Sequence, residues 1–387
     1  MLPLDNILVA DFSRVLAGPL CTQLLADQGA RVIKVEEPLR GDETRRWGPP
    51  WHGDTSSYFL SVNRNKESLA LDLRSEEGKR LARTLIERAD VVVDNFLPAQ
   101  RASLGLEDLL ALNPRVIHCS IAGFDRDTPE ANTPGYDLLA QAGAGLMAIT
   151  GESDGAPMKT GVAISDVLTA HYAHGAICAA LVGRERSGQG ARLEVSLFSA
   201  TLASLVNVAQ GALVTGDEAA RYGNAHASIV PYQLFHANDR PFAVGGGTDR
   251  HFKQLCEQVV ARPELAADPR FMTNQDRVAN RDLLVALLGE IFLTADAATW
   301  LKRCRAAAIP CSLVQGVLEA LRSAAGGQLL VSVDHPSGRF EMAANPVIVD
   351  GNRMPVRLAP PALGQQTDSI VAELSVPRTK DRTTPDN

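Results

Sequence analysis

The feature that most constrains the fold is a regular alternation of short apolar runs with helical segments. The first run, Asn6–Phe12, has few polar breaks, which is typical of a strand buried on both faces. Pro19 can begin a helix, and Gly29 can end it. Strands are further predicted at Arg31–Val35, Val91–Asn95, Val116–Ile121 and Ala191–Val195, and helices at Leu20–Gln28, Ser75–Ala89, Leu106–Leu112 and Asp166–Arg184. Strands that alternate with helices predict βαβ units around a mainly parallel sheet, which is an α/β fold.

Changes in pattern divide the chain into domains. At 387 residues it is too long for one ordinary core. A new unit starts near Arg221, and after Leu330 the sequence becomes extended and rich in proline. We predict a domain over residues 1–220, a second over 221–328, a third segment over 329–375 and a disordered polar tail over 376–387. Within the second domain we predict a strand at Pro241–Gly247 and helices at Asp249–Val260, Asn280–Phe292 and Asp296–Ala307.

Charge and composition limit the partners. The net charge is -7, so the chain has no global basic field for nucleic acid or an anionic membrane. Aromatic residues make up only 5%, which argues against a base-stacking surface. The uncharged stretch Val195–Gly216 is long enough to cross a bilayer, but its polar side chains favour a helix buried in protein or in a subunit interface. We therefore expect neither nucleic acid nor a membrane as a partner.

The six cysteines and the N-terminus indicate a cytoplasmic location. No CxxC pair occurs, and the apolar surroundings of the cysteines are typical of reduced core thiols. Asp5 and Asp11 interrupt the first apolar run, which is unlike a secretory signal. His171 and His174 lie three residues apart on a predicted helix, but no third ligand is spaced to join them. We predict no metal site.

Short motifs say little about chemistry, since the sequence has no GxGxxG after its first strand and no Walker A, HExxH or GxSxG motif. Asp166 comes just before a long apolar helix, where a carboxylate can cap the helix or act as a nucleophile. In either role the helix dipole is expected to keep it ionised.

Two further clusters leave a structural and a functional interpretation open. The glycines Gly245–Gly247 suit a sharp strand-to-helix connection, or a mobile loop whose N–H groups approach a ligand. Arg40, Arg45 and Arg46 beside Trp47 suit a solvated face, or a site for a carboxylate or phosphate.

Several short segments carry a resemblance through their order and spacing. They are Asp11–Pro19, Gly29–Val35, Gly41-Asp42, Asn63–Leu73, Asp94–Phe96, Leu104–Leu106, Asn113–Phe124, Gly135–Asp137, Gly161–Asp166, Gly188–Gly190 and Pro269–Phe271. From about Leu4 to about Leu374, the chain resembles the class III CoA-transferases (CaiB/BaiF family), which include formyl-CoA transferase and carnitine CoA-transferase. Thr44–Pro50, Ser57–Lys66 and Arg221–Phe235 are most similar to the branch of succinyl-CoA:glutarate CoA-transferases.

This resemblance implies a fold and an assembly. Members of the family are two-domain α/β chains with a Rossmann-like large domain, a parallel sheet and a smaller α/β domain. Their large domain combines the N-terminal part with a returning C-terminal segment, which here corresponds to residues 329–375. Two such chains interlock as a homodimer, each ring-like subunit threaded through the other, and we expect the same here.

The resemblance also implies a site. The family's nucleophile is an aspartate that matches Asp166, and a mobile glycine-rich loop over the intermediate matches Gly245, Gly246 and Gly247. Tyr136 lies by the active site, and Arg101 is expected to replace basic residues that relatives carry where this chain has Leu97 and Ser103. Contacts with CoA carry over to Val15, Ala17, Asn65, Lys66, Asn95 and Phe96.

The predicted activity is transfer of CoA from an acyl-CoA, such as succinyl-CoA, to a dicarboxylic acid such as glutarate. A carboxylate that attacks a thioester forms a mixed anhydride, which stays activated for exchange and must be kept from water. CoA thioesters are substrates, and no permanently bound cofactor is expected. A free distal carboxylate needs a polar or cationic partner, for which the candidates are Arg14, Arg45, Arg46, Arg64, Tyr136 and His226.

Two alternatives remain open at this point. One is an α-methylacyl-CoA racemase, which uses a His and Asp pair; here Tyr136 occupies the histidine position, and tyrosine is a poor base at neutral pH. The other is a non-catalytic protein that binds acyl-CoA. Pro134 stands where some formyl-CoA transferases carry a lysine, which argues against oxalate and formate as acids.

Overall fold

The computed structural model describes residues 2–377, so the predicted tail lies outside the described residues apart from 376 and 377. The strands are β1 (Leu8–Asp11), β2 (Arg31–Glu36), β3 (Trp51–His52), β4 (Thr55–Ser56), β5 (Lys66–Ala70), β6 (Val91–Asp94), β7 (Ile117–Ala122), β8 (Ala191–Ser196), β9 (Tyr232–His236), β10 (Pro241–Gly245), β11 (Cys311–Leu313), β12 (Leu330–Val333), β13 (Phe340–Ala343), β14 (Ile348–Val349) and β15 (Asn352–Arg353).

The helices account for most of the remaining regular structure. They are α1 (Ala17–Asp27), α2 (Ser57–Ser61), α3 (Glu76–Arg88), α4 (Pro98–Ser103), α5 (Leu109–Leu112), α6 (Asp137–Gly143), α7 (Ile164–Ser187), α8 (Leu197–Ala203), α9 (Val206–Thr215), α10 (Asp249–Gln254), α11 (Pro263–Ala267), α12 (Asn274–Ala279), α13 (Arg281–Phe292), α14 (Ala297–Ala306), α15 (Val317–Arg322), α16 (Ala324–Gly327) and α17 (Thr367–Ser375). A 3-10 turn covers Glu43–Arg46, and α10 continues as a π-helical turn over Leu255–Val259.

The chain forms two compact units. The first contains residues 2–146, 159–216 and 327–377, and the second contains 147–158 and 217–326. The sequence places the boundaries at residues 220 and 328, and it assigns residues 147–158 to the first domain rather than to the second. That short segment between α6 and α7 gives no periodic signal from which its membership could be read.

The first unit is built on a six-stranded parallel sheet in the order β5-β2-β1-β6-β7-β8. The chain builds outward from β1 through β2 to β5, then returns to the centre and builds outward through β6, β7 and β8. The loops after β1 and β6 therefore diverge at a topological switch point. In open α/β sheets, the crevice at the carboxyl ends of such strands is where ligands bind.

Alternate residues of the central strands enter two separate cores. Val9 and Val32 belong to a core that also contains residues of α1 and α7, whereas Ala10 and Ile33 belong to a core on the other face, with residues of α3, α5 and α17. All four residues of β6 are buried, as the β-branched run Val91–Val93 predicts for a strand covered on both faces.

The second unit has its own core under a three-stranded antiparallel sheet, β11-β10-β9. The ring of Phe292 packs edge-on against Phe242 at 5.1 Å and against Trp300 at 5.2 Å. The indole N–H of Trp300 donates to the Phe292 carbonyl oxygen at 2.7 Å, which satisfies a buried polar group.

The uncharged stretch Val195–Gly216, predicted as a helix buried in protein or in a subunit interface, is not a single helix. It forms the end of β8 and then α8 and α9, which are bent by 75° relative to each other, and α9 has no buried residue. Within residues 2–377 no single helix has the length and hydropathy of a membrane span; the pairs α8–α9 and α13–α14 reach those limits only when joined across bends of 75° and 113°.

Candidate active site

A cavity of about 270 Å³ opens in the first unit, where β1, β6 and β7 end. This is the edge of the sheet at which the strand order reverses. Its walls come from the turn after β1, the segment after β6, the end of β7 with the loop that follows, and the first turn of α7. The lining includes Arg14, Val15, Ala17, Asn95, Phe96, Ser120, Gly123, Arg126, Gly135, Tyr136 and Asp166.

The turn between β1 and α1 is held by a fully buried ion pair. The Lys34 ammonium donates to the Ser13 carbonyl oxygen at 2.9 Å and pairs with the Asp42 carboxylate at 2.9 Å. Asp42 in turn accepts the Val15 backbone N–H at 3.3 Å. Burial opposes ionisation of Asp42, yet Lys34 outweighs it and lowers the pKa of this carboxyl to about 2.

A second buried pair holds the other end of the same turn. The Lys66 ammonium donates to the Pro19 carbonyl oxygen at 2.8 Å and lies 3.1 Å from the Asp11 carboxylate. Asp11 also accepts hydrogen bonds from the side chains of Ser13 and Thr22, at 2.5 and 2.7 Å. The turn is thus fixed from below by charges that belong to β1, β2 and β5.

The turn itself is conformationally demanding. Val15 has φ of 73°, which a β-branched residue rarely adopts. A Cβ on Gly18 would lie 2.2 Å from the Ser13 Cβ, so only glycine fits there. Such strain persists where the surroundings enforce it, and it tends to cluster at functional sites. Here the turn places the backbone N–H of Ala17, the first residue of α1, at the cavity.

Asp166 lies in the first turn of α7, and its position differs from the cap that the sequence suggests. The helix starts earlier, at Ile164, and the carboxylate that caps it is Asp137, which accepts the Ser165 backbone N–H at 2.9 Å. The Asp166 carboxylate instead accepts the backbone N–H of Ala17, the first residue of α1. The acid therefore sits at the N-termini of two helices.

The prediction that a helix dipole keeps Asp166 ionised is wrong. Burial and the nearby negative charge of Asp137 raise the pKa of Asp166 to about 7, although the hydrogen bond from Ala17 acts in the opposite direction. Desolvation therefore outweighs the dipole. The result is an acid that loses its proton near neutral pH, as is common for groups that take part in catalysis.

Asn95 joins the two loops that border the switch point. Its side-chain amide donates to the Arg14 carbonyl oxygen at 2.8 Å and accepts the Arg14 backbone N–H at 3.1 Å. Phe96, the next residue, packs 6.4 Å from Phe12, measured between ring centroids. The conformation of the turn after β1 is thus tied to that of the segment after β6.

Two further depressions share residues with the cavity. A groove of about 840 Å³ is lined by Arg14, Arg40, Arg46 and Arg74 together with Trp47, Glu37 and Glu43. A pocket of about 370 Å³ shares Arg14, Phe96 and Gln100 with the cavity. Its apolar lining includes Phe12, Val35, Leu71, Leu73 and Leu104, and the acidic residues Glu36, Glu37, Asp42 and Asp72 also line it. The cavity contains Asp166, the pocket contains apolar side chains, and the groove contains arginines, so an extended ligand could contact all three.

Two arginines proposed for substrate carboxylates are committed elsewhere. Arg45 is buried, pairs with Glu36 at 2.8 Å and stacks on Phe59, with 3.7 Å between the guanidinium carbon and the ring centroid. Arg64 is buried and pairs with Asp27 at 2.6 Å. An arginine saturated inside the fold cannot bind a substrate carboxylate without leaving a buried charge unpaired, so these two assignments are corrected.

Three predicted CoA contacts also have internal roles. Lys66 holds the turn described above, and Asn65 accepts the backbone N–H groups of Arg357 and Leu358 at 2.6 and 2.9 Å. Arg101 is 5% exposed and bonds Asp94 and Ser120 at 2.7 and 2.5 Å. None of these three side chains lines the cavity or the two depressions within the described part of the chain. Their hydrogen bonds and ion pairs stabilise the segments around the site.

The remaining predicted residues divide between the two units. Arg14, Val15, Ala17, Asn95, Phe96, Tyr136 and Asp166 line the cavity, and Arg46 lines the cationic groove. His226 belongs to the second unit, where its ring packs on Tyr232 at 5.5 Å. Gly245–Gly247 also belongs there and connects β10 to α10, with the Gly246 N–H donating to the Pro231 carbonyl oxygen at 2.9 Å. Its role as a cover over the site stays a prediction.

Four residues at or near the site were not predicted from the sequence. Arg74 lines the cationic groove, Arg126 lines the cavity, Asp137 caps α7, and Tyr58 lies within electrostatic range of Asp166. Burial, with Asp166 and other carboxylates nearby, raises the pKa of Tyr58 to about 12. Arg126 lies in the loop after β7 and Asp137 directly follows this loop, where the pattern of the sequence carries no periodic signal.

Comparisons with known proteins agree over almost the whole chain. A model of CoA-transferase family III matches residues 4–367. Succinyl-CoA:glutarate CoA-transferase of Mus musculus is 39% identical over 97% of this chain and 87% of its own length. Acetyl-CoA:oxalate CoA-transferase of Acetobacter aceti is 40% identical, covering 98% and 97%. The crystal structure of a CaiB/BaiF family protein from Brucella suis matches with a TM-score of 0.87 at 37% identity, covering 97% of this chain and all of that one.

The raised pKa of Asp166 predicts a pH-dependent cost to stability. Because the folded pKa is about 7 and the ordinary value is 3.8, the folded state binds more protons between these values, and its stability falls as pH rises through them. Asp166→Asn should therefore stabilise the protein at pH 8 by on the order of 2–4 kcal/mol, with the gain vanishing near pH 4. Urea unfolding at both pH values measures it, with the exposed Asp127→Asn as control; an equal effect at pH 4 and pH 8 would contradict the assignment.

Proposed function

The chain belongs to CoA-transferase family III, and from this premise we propose that it moves CoA from succinyl-CoA to a dicarboxylic acid such as glutarate through a covalent intermediate on Asp166. The observation that carries the proposal is the position of Asp166. Its carboxylate meets the N-termini of α1 and α7 in a cavity at the switch point of the sheet. A carboxylate that accepts the Ala17 backbone N–H at the edge of this cavity is placed to attack a bound thioester.

The proposed reaction balances without any further reagent. A carboxylate oxygen of Asp166 attacks the thioester carbon, and the C–S bond breaks, which gives a mixed anhydride and the CoA thiolate. The thiolate then attacks the Asp166 carbonyl carbon, frees the donor acid and leaves CoA bound to Asp166 as a thioester. The incoming carboxylate displaces the thiolate to form a second anhydride. The thiolate finally attacks the acceptor carbonyl carbon, which releases the new acyl-CoA and restores the Asp166 carboxylate.

The raised pKa of Asp166 fits this sequence of steps. A carboxylate with a pKa of about 7 is a stronger nucleophile than an ordinary aspartate and is still largely ionised at slightly alkaline pH. The backbone N–H of Ala17 and the N-terminal ends of α1 and α7 are placed to stabilise negative charge that develops at the reacting carbonyl oxygens. The anhydride is protected only as long as water is excluded from the cavity.

The depressions next to the cavity support a place for CoA. The rim formed by Arg14, Arg40, Arg46 and Arg74 is suited to phosphate groups, because guanidinium groups bind phosphate oxygens in pairs. The apolar pocket around Leu71, Leu73 and Leu104 is suited to the adenine ring. The pantetheine arm would then lead past Phe96 to Asp166.

The acid class rests on the relatives and on the charge of the cavity. The two curated relatives described above are named for glutarate and for oxalate, both of them dicarboxylates, and for succinyl-CoA and acetyl-CoA as donors. The cavity contains arginine as well as Asp166, which favours an acid with a second carboxylate. Pro134 argues against oxalate, although one of these relatives is named for it. The chain length of the acceptor acid therefore has to be determined with a panel that includes oxalate.

We also propose that the active particle is an interlocked homodimer, as the resemblance implies. In α9 the side chains of Val206, Leu213 and Val214 are 66%, 79% and 75% exposed, and a row of apolar residues this exposed favours coverage by a second subunit. Light scattering should give a particle of twice the chain mass of 41.4 kDa. A mass equal to that of one chain at working concentration would contradict the dimer.

The activity is tested by incubating the enzyme with succinyl-CoA and a panel of acids, and identifying new CoA thioesters by mass spectrometry. The panel contains oxalate, glutarate, adipate and pentanoate. Glutaryl-CoA is the expected product. Asp166→Ala should lower the rate by on the order of 10³-fold or more while leaving CoA binding largely intact, with Asp282→Ala, at an exposed position on α13, as the control.

The other outcomes of this experiment separate the alternatives. Normal turnover by Asp166→Ala would contradict the mechanism. Exchange of the α-proton of branched acyl-CoAs without transfer would support a racemase, although the lining residues, all within residues 2–377, include no histidine to act as the base. CoA binding without either reaction would support a non-catalytic binding protein.

A further inference from the structure

Two cationic side chains line the cavity, and they differ in which neighbouring depressions they also line. Among its lining residues, which all fall within residues 2–377, these are Arg14 and Arg126. Arg14 also lines the cationic groove and the apolar pocket, and its guanidinium lies 3.7 Å from Glu43. Arg126 lines the cavity but neither the cationic groove nor the apolar pocket. Arg14 therefore belongs to the part of the site that leads toward the groove, whereas Arg126 lines only the cavity, which Asp166 and Tyr136 also line.

Arg126 is held in place at one end of its guanidinium group. One N–H group donates to Ser120 Oγ at 3.1 Å, and another nitrogen lies 2.7 Å from the Glu194 carboxylate. Ser120 is 4% exposed and is itself bonded by Arg101, whose charge Asp94 neutralises at 2.7 Å. The serine hydroxyl is therefore a fixed, buried support, and Arg126 is positioned without being enclosed.

The same side chain keeps capacity for a ligand. The guanidinium of Arg126 has five N–H donors, and the two contacts above leave others available. The side chain is 37% exposed and Glu194 is 47% exposed, so neither group is sealed in the fold as Arg45 and Arg64 are. An arginine in this state can accept a second carboxylate in a paired, planar contact.

On this basis, and resting on the proposed function, we propose that Arg126 binds the free distal carboxylate of the acyl group and so selects dicarboxylic acids. Donor and acceptor acids would occupy this position in turn, with the reacting carboxyl at Asp166 and the free carboxyl at Arg126. Because Arg126 lies on the loop after β7 and not on a strand, the length of the preferred acid is set by the conformation of residues 123–136.

The test compares acids that differ only in the second carboxylate. Arg126→Gln should lower kcat/KM for glutarate by roughly 10- to 100-fold, because the charged partner of the distal carboxylate is lost. It should leave kcat/KM for pentanoate and the dissociation constant of CoA unchanged. Arg126→Lys should retain part of the preference, since it keeps the charge but not the planar pair. Arg192→Gln is the matched control, because Arg192 is an exposed arginine on β8 that pairs with Asp108.

Each result has a distinct meaning. An unchanged ratio of glutarate to pentanoate in Arg126→Gln would overturn the proposal. An equal loss of affinity for glutarate and for free CoA would also overturn it, since it would assign Arg126 to the phosphates of CoA. If the wild-type enzyme transfers CoA to no acid, the proposed function itself fails, whereas transfer that Arg126→Gln leaves intact removes only this inference.

Discussion

The site depends on two buried lysine–aspartate pairs beneath a single turn. Lys34 with Asp42 and Lys66 with Asp11 lie at zero exposure, and the lysines also bind the carbonyl oxygens of Ser13 and Pro19 at the two ends of the turn. Burying charge is costly unless each group is paired, and burial indeed lowers the pKa of Lys66 to about 8 against the attraction of Asp11. Because the two lysines bind carbonyl oxygens of the turn, the strained Val15 and the N-terminus of α1 are fixed beside Asp166.

A conflict between two electrostatic effects then sets the character of Asp166. Helix N-termini favour the carboxylate, while burial and Asp137 favour the protonated acid, and the second effect prevails. Asp137, which accepts the Ser165 N–H at the start of α7, thus also raises the pKa of Asp166, the next residue in the same turn. Asp137 therefore both stabilises the start of α7 and raises the pKa of the candidate nucleophile Asp166.

The sequence anticipates the part of this molecule that depends on periodicity. Apolar runs such as Val91–Val93 predict strands of a parallel sheet, and the structure has them within a few residues of the expected bounds. Strand β5 is not among the predicted strands, because Lys66 and Glu67 interrupt its apolar pattern; the Lys66 ammonium pairs with Asp11 inside the fold. The family resemblance correctly grouped Asp166, Val15 and Asn95, which line one cavity. It did not show that Arg45 and Arg64 are buried in ion pairs, whereas Arg126 is partly exposed in the cavity. Residue type is visible in sequence, whereas the partner that neutralises a charge is visible only in three dimensions.

The most direct test of the account follows oxygen rather than CoA. If Asp166 carries the acyl group, an acceptor labelled with ¹⁸O in its carboxylates leaves one of its oxygens on Asp166 when the thiolate attacks the acceptor carbonyl carbon. We predict that, after turnover of succinyl-CoA with labelled glutarate, the peptide that contains Asp166 gains ¹⁸O, and that the label passes to succinate released in later turnovers. Label that reaches succinate while this peptide stays unlabelled would mean that the two acids exchange CoA directly, and it would contradict a covalent role for Asp166.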